Sequence, residues 1–272
     1  MTATLPPSGQ TGRSRPQMSA RTLRKDRWWV GPLLTTLGLA GFVSYATVRV
    51  FQQNHYWVAE HHYLTPFYSP CLSANCAPGS AVFGTLPWEF PWFLPYALFT
   101  LPFLLLFRFT CYYYRKAYYR SIWQAPTACA VQEPHQRYTG ESRFPMLGQN
   151  LHRYFFYAAV LISLINTYDA AVSFAYGTNG GFGIGVGNLV LLANVILLWC
   201  YTLSCHSCRH VFGGRLKSFG RHPLQYRLWT WISVLNTRHM TWAWITLGTL
   251  VLTDLYVALV SSGVLTDLRI IN

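Results

Sequence analysis

Two cysteines and two histidines lie close together in the segment Cys205-His-Ser-Cys-Arg-His210. Thiolates and imidazoles at such close spacing are typical ligands for zinc, iron–sulfur clusters and haem iron. The segment follows the apolar run 184–203 and precedes a basic loop, so we expect it at a membrane surface. The four side chains are therefore candidate metal ligands, the alternative being that they are unligated polar residues near a helix end.

Helical geometry limits which of these side chains can share one metal centre. With about 100° per residue, Cys205 and Cys208 lie about 60° apart on a helix. His206 and His210 lie about 40° apart, in a different direction. Either the helix ends near Cys205 and the chain curls, or a histidine from another segment completes the site. The predicted ligands are Cys205, Cys208, His210 and His239, with His152 and His206 as alternates.

The ligand count suits three kinds of metal centre. Two thiolates with two imidazoles hold a Rieske-type [2Fe–2S] cluster, in which histidines replace cysteines on one iron. The same count suits structural zinc. A haem b between His210 and His239 is a third interpretation, which leaves both cysteines unused. The [2Fe–2S] centre is the first hypothesis, although the chain lacks the two separated Cys-x-His loops of soluble Rieske proteins.

The composition of the whole chain is that of a membrane protein. Hydrophobic residues make up 52% of the 272 residues, and charged residues make up only 11%. A soluble domain has about 25% charged residues, so a soluble globular protein is excluded. We predict an all-α membrane protein, a five-transmembrane-helix bundle with an amphipathic helix at the interface that begins near Pro223.

Five apolar stretches have about the 20 residues that a helix needs to cross the hydrocarbon core. The second stretch contains Pro91, Pro95 and Pro102 and should be kinked. The predicted spans, which together make a membrane domain over 29–262, are about 29–48, 90–107, 154–176, 184–203 and 240–262.

Basic residues are distributed unevenly between the connections. The segments 1–28, 108–153 and 204–239 hold six, seven and six Lys or Arg residues, whereas 51–89 and 177–183 hold none. The positive-inside rule then places the amino terminus in the cytoplasm and the carboxyl terminus outside. The net charge of +13 thus reflects topology, with docking of a protein partner or membrane lipids as a further role, and it does not imply nucleic acid.

This orientation assigns each segment outside the spans to the cytoplasmic or the external side of the membrane. Residues 1–28 are a predicted disordered basic tail in the cytoplasm. Residues 51–89 form a long external loop, and 263–272 form an external tail. The loop contains Cys71 and Cys76, which are candidates for a disulfide in an oxidising compartment.

Two carboxylates lie within predicted spans, Asp169 in the third and Asp254 in the fifth. Ionisable groups inside a membrane are costly, so both are functional candidates. One interpretation is a proton path. The other is that a carboxylate pairs with Arg49 near the outer end of the first span.

Five spans with a cytoplasmic amino terminus resemble the single membrane-anchor subunit of bacterial complex II. The segments Cys205–His210 and Asn236–Asp254 look more closely like the anchor of actinobacterial, including mycobacterial, succinate dehydrogenases, and the likeness covers about residues 28–262. The resemblance implies a multi-pass subunit of the bacterial plasma membrane with no activity alone. It would hold a flavoprotein and an iron–sulfur subunit at the cytoplasmic face, in a complex whose oligomeric state the sequence leaves open.

The resemblance also implies that electrons pass to a membrane quinone, menaquinone or ubiquinone. Our mechanistic hypothesis is that they cross the inner-face metal centre on the way. A quinone needs hydrogen-bond donors and an apolar slot, and Arg153, Tyr226 and Trp229 are candidates, with interfacial anchoring as the alternative role. Three other functions stay open at this point. They are a b-haem anchor of another quinone-linked dehydrogenase, a purely structural anchor with zinc, and a metal-free transporter or channel using Asp169 and Asp254.

Overall fold

The computed structural model describes residues 24–72, 85, 88, 91–126, 128–131, 146–177, 180–214 and 216–271. Most of the predicted tail 1–28 lies outside the described residues, as does Cys76. Cys71 is disulfide-bonded. The helices are α1 (Val30–Gln52), α2 (Leu101–Phe109), α3 (Tyr112–Ser121), α4 (His152–Ser173), α5 (Val186–Leu203), α6 (His206–Gly213), α7 (Pro223–Asn236) and α8 (His239–Ser261). The short strands are β1 (Trp57–Val58), β2 (Tyr63–Leu64), β3 (Ile184–Gly185) and β4 (Arg269–Ile271).

Four helices within the described ranges are long and apolar enough to cross a membrane. They correspond to the first, third, fourth and fifth predicted spans, and they cover Val30–Gln52, Gly148–Ser173, Val186–Leu203 and His239–Ser261. A mostly helical membrane architecture is therefore confirmed. The count of five spans and the cytoplasmic amino terminus stay predictions.

The predicted second span, 90–107, does not form one long helix. A 3-10 turn, Tyr96–Phe99, precedes the nine-residue α2. Pro95 stands before the turn, and Pro102 stands in the first turn of α2. Proline lacks an N–H donor and disfavours helical backbone in the residue before it, so this segment is broken rather than kinked.

The centre of the bundle is α5, which packs against both α4 and α8. Around it, α2 packs on α4, α1 packs on α3, and α6 packs on α7. At one end a buried core joins α2, α3, α4, α5 and α7 through Phe107, Tyr114, Phe156, Tyr201 and Ile232. This core fixes the ends of these helices, which are the inner ends on the predicted orientation, relative to one another.

The first part of the predicted external loop folds into the opposite end of the bundle. We name residues 53–72 the outer cap; its strands β1 and β2 pair antiparallel, and residues 61–71 are buried throughout. The Tyr68 hydroxyl donates to the carbonyl oxygen of Val50 at 2.5 Å, and the Ser69 hydroxyl donates to Asp169. Such partners are required because irregular backbone at membrane depth is tolerated only where protein surrounds it.

A buried ion pair connects α1, α8 and the outer cap. Arg49 Nε donates to Asp254 Oδ2 at 2.6 Å, and the same carboxylate accepts from the hydroxyls of Tyr45 at 2.6 Å and Thr65 at 2.7 Å. Arg49 also donates to the carbonyl oxygens of Asn54 and His55 at the start of the cap. For Asp254, the structure therefore supports the predicted pairing with Arg49.

The carboxyl-terminal segment is fastened to the start of α5. Strand β4 pairs with β3, which directly precedes α5. The carboxylate of Asp267 accepts from the backbone N–H of Gly187 at 2.8 Å and from the hydroxyls of Tyr63 at 2.9 Å and Tyr256 at 2.6 Å. The described part of the predicted tail 263–272 is thus held against the bundle.

Replacing Asp254 by Leu should destabilise the protein by about 3–5 kcal/mol, because it leaves the Arg49 charge buried and unpaired. The denaturation midpoint of the detergent-solubilised protein measures this loss. The double variant Arg49→Met/Asp254→Leu is the matched control and should regain most of the stability, because neither charge remains buried. An Asp254→Leu variant as stable as the parent would contradict this role of the ion pair.

Candidate functional site

A large cavity lies where α4, α6 and α8 begin. Its volume is about 850 Å³. It receives side chains from the α2–α3 junction, the starts of α4 and α8, the α5–α6 junction and the end of α7. We name it the inner cavity. Its lining includes Cys111, Gln149, His152, Arg153, Cys205, His206, His210, Asn236 and His239.

One side of the inner cavity carries a histidine and a cysteine in contact. His152 is the first residue of α4, and its Nε2 lies 3.0 Å from Sγ of Cys205. Cys205 caps the start of α6, where its sulfur accepts from the backbone N–H of Ser207 at 3.4 Å. The ring of Phe107 stacks on the His152 imidazole with 4.9 Å between centroids, which holds the ring plane.

A second histidine and cysteine form a similar pair. His239 is the first residue of α8, and its Nε2 lies 3.4 Å from Sγ of Cys111. The ring of Tyr201 stacks on the His239 imidazole with 5.1 Å between centroids. Two thiols and two imidazoles from four separate parts of the chain therefore line one cavity.

Hydroxyl groups determine which imidazole nitrogen carries the hydrogen. The Thr110 hydroxyl gives its hydrogen to the Leu106 carbonyl oxygen at 2.6 Å, so toward His152 Nδ1, 3.0 Å away, it can only accept. The Ser204 hydroxyl likewise donates to the Tyr201 carbonyl oxygen at 2.8 Å and accepts from His239 Nδ1 at 2.7 Å. Both imidazoles consequently direct an unprotonated Nε2 at a thiol.

Burial keeps the two thiols protonated. It raises the pKa of Cys205 to about 12, and it raises the pKa of Cys111 as well. Neither thiol therefore supplies a nucleophilic thiolate near neutral pH. A metal ion that displaces the thiol hydrogens would find thiolates and imidazoles already in place, since metal binding to cysteine releases protons.

The four-ligand set predicted from the sequence is not assembled. Among the described residues, no group of three or more His, Cys, Asp or Glu is placed to hold one metal ion. Cys205 and His239 line the inner cavity, as does the alternate His152. The prediction missed Cys111.

The other members of the predicted set lie elsewhere or are exposed. Cys208 is fully buried in the core and does not line the cavity, whereas the histidines His206 and His210 line it from its exposed side. The physical reason is a break in the helix: α5 ends at Leu203 and α6 begins at His206. Cys205 thus sits in the turn, and Cys208 follows the new axis of α6 into the core.

The predicted quinone contacts fall on two sides of α6. Arg153 lines the inner cavity, with its guanidinium 5.6 Å from the ring centroid of Tyr154. Tyr226 and Trp229 stack on each other with 6.2 Å between centroids, and the Arg209 guanidinium of α6 lies 5.1 Å from the Trp229 ring. Arg153 is therefore near the Cys/His pairs, while the two aromatic residues form a separate surface.

The two intramembrane acids have different surroundings. Asp254 is surrounded by Arg49, Tyr45 and Thr65 at hydrogen-bond distance. Asp169 is also buried, but it accepts a hydrogen bond from the Ser69 hydroxyl of the outer cap. Within the described residues Asp169 forms no ion pair with a basic side chain.

Comparison with known proteins gives a consistent result. The family model described as actinobacterial succinate dehydrogenase subunit SdhC matches residues 30–263. Among solved structures, the chain is similar to a chain of the Mycobacterium smegmatis Sdh1 complex in the apo form, with 66% sequence identity and a TM-score of 0.89. The match covers 96% of this chain and 98% of that chain. No curated protein matches the sequence.

Alkylation with a small maleimide should distinguish the cysteines of the detergent-solubilised protein after metal has been removed with a chelator. Cys129 is exposed, whereas Cys205 is buried. With a pKa of about 12, Cys205 has about 10⁻⁴ of its thiol ionised at pH 8. Its alkylation, followed by mass spectrometry, should be at least about 100-fold slower than that of Cys129 and should accelerate as the pH rises. Equal rates at pH 7 would contradict this environment.

Proposed function

The chain belongs to the actinobacterial succinate dehydrogenase SdhC family, and from this premise we propose that it passes electrons from docked partner subunits through an inner-face metal centre to a quinone. It is the membrane-anchor subunit of that enzyme complex, with several apolar helices in the plasma membrane. The partners we propose are the flavoprotein and the iron–sulfur subunit of the complex, docked where the inner cavity opens.

The observation that carries this proposal is the pair of Cys–His contacts. Cys205 with His152 and Cys111 with His239 supply two thiols and two imidazoles in one cavity. Each imidazole is oriented by a hydroxyl through Nδ1, with Nε2 facing the cavity sulfur. A second hydrogen bond of this kind is typical of histidines that ligate metals, because it fixes the ring and its tautomer.

These residues fit a [2Fe–2S] centre better than haem b or zinc. A b-type haem needs two axial imidazoles that face each other, whereas here each Nε2 faces a thiol. Structural zinc needs four donors around one point, and the described residues offer no such group. A Rieske-type [2Fe–2S] centre needs two imidazoles on one iron and two thiolates on the other, and Cys111, Cys205, His152 and His239 supply that count around one cavity.

When bound, such a centre accepts and donates one electron at a time. The protein contributes the hydrogen bonds, ring contacts and burial that hold the ligands in place. The hydroxyls of Thr110 and Ser204 hold the imidazoles in the tautomer that leaves Nε2 free, and the stacked rings of Phe107 and Tyr201 fix the imidazole planes. The buried core beneath them excludes bulk water, which otherwise would solvate and release the ligands.

The quinone site is proposed on the same side of the molecule. We keep Arg153 as the polar contact, because it lines the inner cavity beside His152 and its guanidinium donates hydrogen bonds to carbonyl oxygens. Tyr226 and Trp229 form a separate aromatic surface on the other side of α6, which is the alternative location for the quinone. Either menaquinone or ubiquinone satisfies these contacts.

Single variants His152→Ala and His239→Ala in the assembled complex should lose the iron of this subunit and abolish quinone reduction. Succinate oxidation by an artificial acceptor should persist, because the soluble partners retain their own cofactors. Low-temperature EPR, iron analysis and both activities measure these outcomes. The matched controls are His210→Ala and Cys208→Ser, which remove predicted ligands that the structure leaves outside the Cys–His pairs, and both should keep iron and activity.

Two outcomes would overturn the proposal in different ways. Normal quinone reduction by His239→Ala would exclude an electron path through this site. Zinc in place of iron in the wild-type subunit would make this a structural metal site, and quinone would then be reduced at the interface with the partner subunits.

The orienting hydroxyls provide a finer test. Thr110→Val and Ser204→Ala should each weaken metal retention or quinone reduction by about 10–100-fold, because the imidazole loses the partner that fixes its tautomer. Iron content after dialysis against a chelator measures retention. Thr167→Val removes a hydroxyl of α4 that is distant from this site in sequence and should leave retention unchanged; an equal loss there would contradict a local effect.

A further inference from the structure

Arg108 carries a positive charge into the bundle without an acidic partner among the described residues. It lies in the last turn of α2, at the inner end of the predicted second span, and contacts α3 and α8. Arg49 and Arg269, by contrast, form ion pairs with Asp254 and Asp267. A charge in the interior of a membrane protein is costly, so one that no described carboxylate pairs is a functional candidate.

Neutral hydroxyl groups hold the Arg108 guanidinium in place. Its Nη1 donates to the Tyr114 hydroxyl at 2.6 Å, and its Nη2 donates to the Thr246 hydroxyl at 3.2 Å. The Tyr114 hydroxyl donates its own hydrogen to the Ala243 carbonyl oxygen at 2.6 Å, so toward the guanidinium it acts as the acceptor. These contacts fix the position of the charge and leave it uncompensated.

The fixed charge lies close to two of the proposed metal ligands. The Arg108 Cζ atom is 4.6 Å from the ring centroid of Tyr201, and the same ring stacks on the His239 imidazole. The backbone N–H of Cys111 donates to the Arg108 carbonyl oxygen at 3.1 Å, so this ligand follows Arg108 within one turn. Because a Rieske-type centre has imidazoles on one iron and thiolates on the other, Arg108 lies near a ligand of each iron.

We propose that Arg108 raises the reduction potential of the proposed inner-face metal centre by placing a fixed positive charge beside it. The inference rests on the proposed function, because it needs a metal centre at the Cys–His pairs. Two ferric ions, two sulfides and two thiolates sum to zero charge, and one electron from the docked partner subunits adds one negative charge. The Arg108 cation attracts that charge and thus favours the reduced form.

The surroundings of Arg108 make its charge effective. Tyr201 is 2% exposed and Cys111 is 3% exposed, so little water lies between the guanidinium and the proposed ligands to screen the interaction. With an effective dielectric constant of about 20, a unit charge one ring away changes the equilibrium constant for reduction by about tenfold. The alternative role of Arg108 is structural: a cation at the carboxyl end of α2 interacts favourably with the helix dipole.

The test is a redox titration of the assembled complex followed by EPR, in which the signal of this subunit is the one that His152→Ala and His239→Ala lose. Arg108→Gln removes the charge and keeps a hydrogen-bond donor. It should retain iron and lower the equilibrium constant for reduction by about tenfold, which is a midpoint potential about 59 mV lower for one electron. Arg108→Lys keeps the charge and should restore most of the potential. The clusters of the iron–sulfur subunit are the internal reference and should keep their potentials.

A second pair of variants removes the effect of the charge without removing the arginine. Thr246→Asp places a carboxylate where the Thr246 hydroxyl now accepts from Nη2 of Arg108. It should lower the potential by a similar amount, because the guanidinium is then neutralised in place. Thr246→Val removes the same hydroxyl, adds no charge, and should change the equilibrium constant by less than about twofold. This pair decides the question if Arg108→Gln loses its iron.

Lys116→Gln is the control for surface charge. It removes an exposed cation of α3, which water and salt screen, and should leave the potential unchanged. The inference is overturned by an Arg108→Gln or Thr246→Asp variant that retains iron and the wild-type potential, even with lower thermal stability. An equal shift in Lys116→Gln would also overturn it. Failure of the underlying proposal would look different, because the wild-type complex would then show no EPR signal that depends on His239.

Discussion

The interior of this protein depends on one constraint: every polar group in the bundle must find its partner within the protein, because the hydrocarbon core offers none. The Arg49–Asp254 ion pair shows how the constraint shapes the fold. It neutralises a charge on α1 with a charge on α8, and its remaining hydrogen bonds reach Thr65 and the first carbonyl oxygens of the outer cap. The cap can therefore enter the bundle as irregular backbone, which an unpaired arginine or aspartate would not allow.

The same constraint explains the site at the other end. Buried serine and threonine hydroxyls usually donate to the carbonyl oxygen one turn earlier in a helix, and Thr110 does so with Leu106. Once the hydrogen is used, the oxygen can only accept, and the imidazole beside it must donate through Nδ1. A routine helical hydrogen bond thus determines the tautomer of His152, and Ser204 does the same for His239. The geometry of the Cys–His pairs therefore follows from ordinary hydrogen bonds between hydroxyl groups and backbone carbonyl oxygens.

Hydropathy in the sequence predicted much of the fold. The helices α1, α4, α5 and α8 follow long apolar runs, and α7 begins at Pro223 as the sequence indicated. The ligands of the proposed metal site were harder to predict from the sequence. A helix end near Cys205 was one of two alternatives in the sequence, and the chain does turn between α5 and α6, but the angle of that turn cannot be predicted from residue spacing. Cys111 was missed because it is distant from Cys205 in sequence, and no local spacing connects two residues that only helix packing brings together.

Tyr201 connects the proposed metal site to the buried core of the bundle. Its ring stacks on His239, where the electrons are proposed to arrive, and its hydroxyl lies near the Cys111 thiol. The Arg108 guanidinium lies 4.6 Å from the centre of the same ring, which places a fixed positive charge beside both groups. A cation at this point favours added negative charge nearby. An electron that enters the proposed site would therefore be stabilised by the Arg108 guanidinium across one buried aromatic ring, so the packing that holds Tyr201 in place also serves the proposed electron path.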